Sequence, residues 1–148
     1  MILDSHNEFA DATALSTAAT GLALVGNVID LGTDGINDVE DMYLVVQIDT
    51  AVTSAGSATV AFTLASDAQA AIAVDGSASV HTTTAAVAKA SLVAGYTVCQ
   101  ISLPKGQYER YLGILQNVGT AALTAGKVNA FLTPNPVTAK AFSSPSQA

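Results

Sequence analysis

The chain's apolar positions are regularly spaced in some stretches and unpatterned in others. Over residues 42–49, Met42, Leu44, Val46 and Ile48 alternate with Tyr43, Val45, Gln47 and Asp49. A period of two predicts a strand with one face in a core. The alternation returns at 58–65, with Ala58, Val60, Phe62 and Leu64 inward and Thr59, Ala61, Thr63 and Ala65 outward. Threonine and valine suit such a half-buried pleated surface. Thr53-Ser54-Ala55-Gly56-Ser57 between the two is a loop by composition. Further on, Cys99, Ile101 and Leu103 share a face over 97–103, Leu112 and Ile114 stand opposite Tyr111 and Leu115 over 108–118, and Val128, Ala130 and Leu132 share a face over 127–133. Leu103-Pro104-Lys105-Gly106 reads as a turn, with proline presetting φ and glycine closing it. Pro134 and Pro136 end the last strand because neither can donate to a ladder.

Two stretches lack this pattern. Residues 1–25 are rich in alanine, threonine and serine, with Ile2, Leu3, Phe9 and Leu15 among the few larger apolar side chains. They read as an extended arm that orders on a neighbour. A short helix capped by Asp4 or Ser5 and running through Ala14 is the alternative. In 66–94, propensity favours helix at 68–72 and 84–88, but Asp75-Gly76 is a turn signal and Val80-His81-Thr82-Thr83 favours strand. Strand and loop is the preferred reading. Short strands with glycine-rich turns predict an all-β jelly roll or β-sandwich. The expected layout is an N-terminal arm at 1–25, a jelly-roll domain at 26–136 and a short C-terminal tail at 137–148.

Composition narrows the function. Of 148 residues, 50% are hydrophobic, but 28 are alanines, so bulky core-forming side chains are scarcer than that figure implies. Charged residues make up 11%, and the net charge of −7 is unevenly spread. Residues 1–88 carry −11 and residues 89–148 carry +4. Five Lys and Arg are too few for a nucleic-acid interface. No stretch is long and apolar enough for a membrane span, and the opening Met1-Ile2-Leu3-Asp4 has no basic region before an apolar run, so no secretory signal is expected. The single Cys99 excludes an internal disulfide and a thiolate zinc site, which fits assembly in a reducing cytoplasm.

Site chemistry is sparse. Asp30, Asp34, Asp38, Glu40 and Asp41 gather in an acidic loop, the composition calcium prefers. Yet Gly32 and Asn37 depart from the EF-hand spacing and a strand follows instead of a helix, so an ordinary solvated loop is expected and no metal. With two histidines and no Gly-x-Ser-x-Gly elbow, nucleophilic catalysis has no support, and neither an enzyme nor a cofactor is expected. Cys99 reads as a small core residue and His81 as a strand-surface residue. Tyr108 and Tyr111 flank Glu109-Arg110 but point to opposite faces of a strand, so they make no joint sugar platform. Arg110 reads either as a strand ion pair or as an interface anchor.

Several segments, taken in order, resemble the small jelly-roll capsid cement (decoration) proteins of tailed bacteriophages. They are Met1-Ile2-Leu3-Asp4 with Asn27-Val28-Ile29-Asp30-Leu31-Gly32, then Tyr43-Leu44-Val45-Val46-Gln47-Ile48, then Gly56-Ser57-Ala58-Thr59-Val60 onward to Asp67. The most specific is Leu103-Pro104-Lys105-Gly106 through Glu109-Arg110-Tyr111-Leu112-Gly113-Ile114, followed by Thr124-Ala125-Gly126-Lys127-Val128. The resemblance implies a virion protein, a homo-oligomer (dimer or trimer) on the outer surface of the head that clamps neighbouring copies of the major capsid protein. It carries over no catalytic residues. Candidate capsid or subunit contacts are Ile2, Leu3, Phe9, Lys105, Arg110 and Tyr111. A carbohydrate- or receptor-binding jelly-roll module of a virion is the second reading.

Overall fold

The structure is a computed structural model, and it describes residues 4–32 and 41–136. Among the described residues there are nine strands: β1 (Glu8–Ala14), β2 (Gly21–Asp30), β3 (Tyr43–Thr53), β4 (Thr59–Asp67), β5 (Ser79–Thr83), β6 (Val87–Ala88), β7 (Thr97–Ser102), β8 (Tyr111–Gly119) and β9 (Ala125–Thr133). The helical pieces among the described residues are the single 3-10 turns Ser5–Asn7 and Lys89–Ser91. One sheet runs β1-β9-β3-β7; the other runs β2-β8-β4-β5, with β6 beside β4. All pairings are antiparallel.

Setting aside the two-residue β6, the pairing has a simple rule. The first strand pairs with the last, the second with the next to last, and so on inward to β4 with β5. This is a long hairpin folded over itself, an eight-stranded jelly roll. The period-two faces meet between the sheets: Leu44, Val46 and Ile48 of β3 and Val60, Phe62 and Leu64 of β4 share one core with Leu112, Ile114, Val128, Ala130 and Leu132. Phe9, Phe62 and Tyr108 supply its aromatic bulk, at 0%, 2% and 1% exposure. In an alanine-rich chain these few large groups contribute disproportionately, each about 1.5–3 kcal/mol of transfer free energy.

The structure corrects the expected N-terminal arm. Residues 8–14 are β1, hydrogen-bonded to β9, and residues 21–30 are β2, paired with β8. Asp4 does cap a turn, accepting from the His6 N–H, but the turn is one 3-10 turn and gives way to strand at Glu8. Phe9 is therefore a core residue and offers no external contact. Its alternation was hidden by bulges. The β1 register shifts twice against β9, and Ala12 sits at φ 43°, where its N–H donates to Asn129 Oδ1 at 2.6 Å. Strand β2 likewise slips between Val25 and Ile29, around Gly26 at φ +65°. An extra residue in a strand flips the faces and erases the period-two signal.

A polar clasp secures the link between these two strands. The Ser16 N–H donates to Gln116 Oε1 at 2.8 Å, and Gln116 Nε2 returns a bond to the Ser16 carbonyl at 3.0 Å. Gln116 is 1% exposed on β8, so its amide is matched to one backbone position. A second, smaller cluster of Ala65, Ile72, Ala78 and Leu115 forms on the outer face of the second sheet, where residues 68–78 fold back over it. It explains why the outward residues Thr63 and Ala65 are buried too.

At Gly26 the backbone of β2 lies close against β1. A Cβ built there would lie 2.1 Å from the Phe9 carbonyl oxygen, and the left-handed φ adds its own strain. Gly26→Ala is expected to cost more than about 2 kcal/mol, a fall in Tm of more than roughly 5 °C. A thermal melt followed by far-UV circular dichroism checks it. An unchanged Tm would mean that the two strands can separate there freely.

Candidate functional site

Antiparallel connections alternate between the two ends of a sandwich. One end here collects residues 4–7, residues 31–32 and 41–42, the connections 68–78 and 103–110, and the exit of β9. Charge concentrates at that end. Of the nine described acids, seven lie there: Asp4, Glu8, Asp30, Asp41, Asp67, Asp75 and Glu109. Lys105 and Arg110 are at the same end, whereas Lys89 and Lys127 belong to the other. The −11/+4 division along the sequence is not kept as two opposite patches: among the described residues, acids of the first half share one end with Lys105 and Arg110 of the second, because the hairpin winding interleaves the halves of the chain.

At the charged end, Arg110 is committed within the molecule. Its Nε and Nη2 donate to Asp30 Oδ1 and Oδ2, each at 3.0 Å, a bidentate pair between the end of β2 and the residue before β8. The Leu31 N–H donates to the Arg110 carbonyl beside it at 2.8 Å. Arg110 Cζ also lies 5.0 Å from the Tyr111 ring centroid. The Arg110 hydrogen bonds, joined by one from the Gly32 N–H, hold the Asp30 carboxyl below its ordinary value. Of the two readings of Arg110, the ion pair is what the geometry provides, with the guanidinium still half exposed.

The other candidate contacts separate. Tyr111 is half-buried against the small outer cluster. Lys105 is exposed, with Nζ 3.9 Å from Asp41 Oδ1. These two residues rim a groove floored by Met42, Tyr43, Leu103 and Pro104. Ile2 and Leu3 lie outside the described residues. So do Asp34, Asp38 and Glu40 of the acidic loop; Asp30 is taken by Arg110, and among the described residues no group of three His, Cys, Asp or Glu is arranged to hold a metal.

One cluster at this end was not legible from the sequence. Ser66, the last inward residue of β4, is fully buried, and its Oγ lies 2.7 Å from His81 Nε2 on β5. The Glu109 N–H donates to the same Oγ at 3.0 Å, and the Ser79 hydroxyl donates to Glu109 Oε1. The His81 ring stacks on Tyr108 with centroids 4.1 Å apart, and the Tyr108 hydroxyl donates to the Pro104 carbonyl. A serine against a histidine is the geometry of a nucleophile and its base. Here the oxygen is enclosed and already accepts a backbone N–H, so no substrate carbonyl reaches it. Ser66 is 15 positions from His81 and 43 from Glu109, and only the fold brings the three together.

Cys99 packs against the main core from β7, and burial pushes its thiol up to about 11. Since the thiolate is the reactive form, modification of the folded protein at about pH 8 is expected to be at least roughly tenfold slower than in denaturant. Ellman's reagent checks this, and equal rates in both states would place the sulfur in solvent.

A family model named Bbp16 matches residues 9–132. A search of curated proteins finds no match. The matched span opens at Phe9 in β1 and closes at Leu132 in β9, so it takes in every strand pairing of the jelly roll.

Proposed function

This chain belongs to the Bbp16 family, and from that premise we propose that it is a bacteriophage capsid cement protein that binds the outer surface of the head and stabilises the major capsid protein lattice. The observation that carries this reading is where the cement-like stretches fall in the fold. Residues 43–48 are β3; residues 56–67 are the entry and length of β4; residues 103–114 are the connection into β8; residues 124–128 open β9. Each of these stretches falls on a strand or on the connection that leads into one.

The surface is suited to the work. A clamp that binds the expanded lattice in preference to its precursor stabilises that lattice by mass action alone. It needs complementary contacts and no chemistry. A weakly charged body with one strongly charged end provides a directional surface, because concentrated charge sets orientation and encounter rate more than affinity. Lys105, exposed on the rim of the groove, is positioned for such contact; Phe9, in the core, is not.

Purified protein mixed with expanded capsids that lack it is expected to bind saturably and to raise the temperature at which the shells break. Sedimentation with densitometry measures the first and a fluorescence melt of DNA release the second. Lys105→Glu is expected to weaken binding several-fold, with Tm within about 1 °C because the site is exposed. No binding above background would remove the proposal. A reproducible glycan-array signal without capsid affinity would replace it with the receptor-binding reading.

A further inference from the structure

Strand β5 lies at the edge of the second sheet and has little apolar burial of its own: Ser79, Val80 and Thr83 are exposed, and His81 and Thr82 are only partly covered. Polar contacts hold it, and the most enclosed of these is the bond between Ser66 and His81. The direction of that bond follows from counting hydrogens. Ser66 Oγ accepts from the Glu109 N–H, and the residue is fully buried. Its own hydrogen therefore needs an acceptor, and His81 Nε2 stands at 2.7 Å. The imidazole proton is then on Nδ1. Protonating Nε2 would turn this acceptor into a donor, leaving the Ser66 hydrogen in a buried site with nothing to receive it.

We propose that the Ser66–His81 pair is an acid-sensitive latch that fastens edge strand β5 to β4 and to the 103–110 connection while the imidazole is neutral, and releases it when the ring takes up a proton. The inference stands on this chain's own geometry and does not depend on the capsid role. Among the described residues, the charged and titratable groups around the ring are few. From the 103–110 connection come Glu109, whose carboxylate accepts from Ser79, and Tyr108, whose hydroxyl is held by Pro104. At the end of β4, the Asp67 carboxylate is turned to the N–H groups of Gln69 and Ala73. The Arg110 guanidinium is engaged by Asp30 and Tyr111.

Burial lowers the His81 pKa from its ordinary 6.5, opposed by the Glu109 charge. The folded form thus binds its proton later than the unfolded chain does. The latch is at full strength above about pH 6.5 and weakens as pH falls through the window below it. Release would uncover the hydrogen-bonding edge of β4 at Thr63 to Ser66, the positions now paired with β5.

The test is NMR on the full chain at about pH 7.5 and about pH 5, reading His81 ring nitrogen shifts and amide protection factors. The expected result is the Nδ1–H tautomer, a titration midpoint below 6.5, and protection of residues 79–83 that falls with pH while that of β9 holds. The fall is roughly tenfold for each unit by which the pKa is depressed. His81→Gln, which keeps a polar side chain without a titration, is expected to flatten the pH dependence. An Nε2–H tautomer, a midpoint at or above 6.5, or β5 protection that is constant or falls together with that of β9 would overturn the proposal. The wild-type readings decide the matter even if the variant folds poorly.

Discussion

Strand β9 is the constraint on which the rest of the fold depends. It lies between β1 and β3, and among the described residues β1 has no other strand partner. The first and last strands must therefore meet before the first sheet is complete. Such non-local closure is slow to form and cooperative once formed. The inward face of β9, Val128, Ala130 and Leu132, packs on the central core, while its backbone satisfies both neighbours. The same winding sends residues 31–32 and 41–42 and the 68–78 and 103–110 connections to one end. The described charges at that end thus come together through topology, from segments far apart in the sequence.

That end combines three different uses of polar groups. The Arg110–Asp30 pair ties the end of β2 to the entry of β8. The Ser66, His81 and Glu109 set pins an edge strand. Lys105 and Asp41 stay in solvent on the groove rim, available to something else. The body of the sandwich does the opposite: weak charge and many alanines leave a surface with a low desolvation cost on contact with another protein. A virion clamp needs both properties.

Much of the architecture was legible because β4, β8, β3 up to Ile48 and β9 from Val128 keep an inward apolar face at period two, and the slips of β3 against β9 fall beyond Ile48. Where the sequence was opaque, a physical cause is visible. Strands β1 and β2 carry bulges at Ala12 and Gly26, which break the alternation and made a strand look like an arm. Tyr108 reads as the start of a strand, yet it anchors the connection before β8 with its ring in the core. Arg110 was readable as ion pair or interface anchor, and its partner Asp30, eighty residues away, could be named only once β2 was seen beside β8. The Ser66–His81 pair left no sequence signal at all, because neither residue has a motif around it.

The central claim is that this jelly roll is a stoichiometric part of the outer shell of a phage head. A cryo-electron microscopy reconstruction of the mature head tests it most directly. The account predicts ordered density outside the capsid protein layer into which the two sheets, β1-β9-β3-β7 and β2-β8-β4-β5, fit without rearrangement. A complete head map with no such density on its outer surface would contradict it.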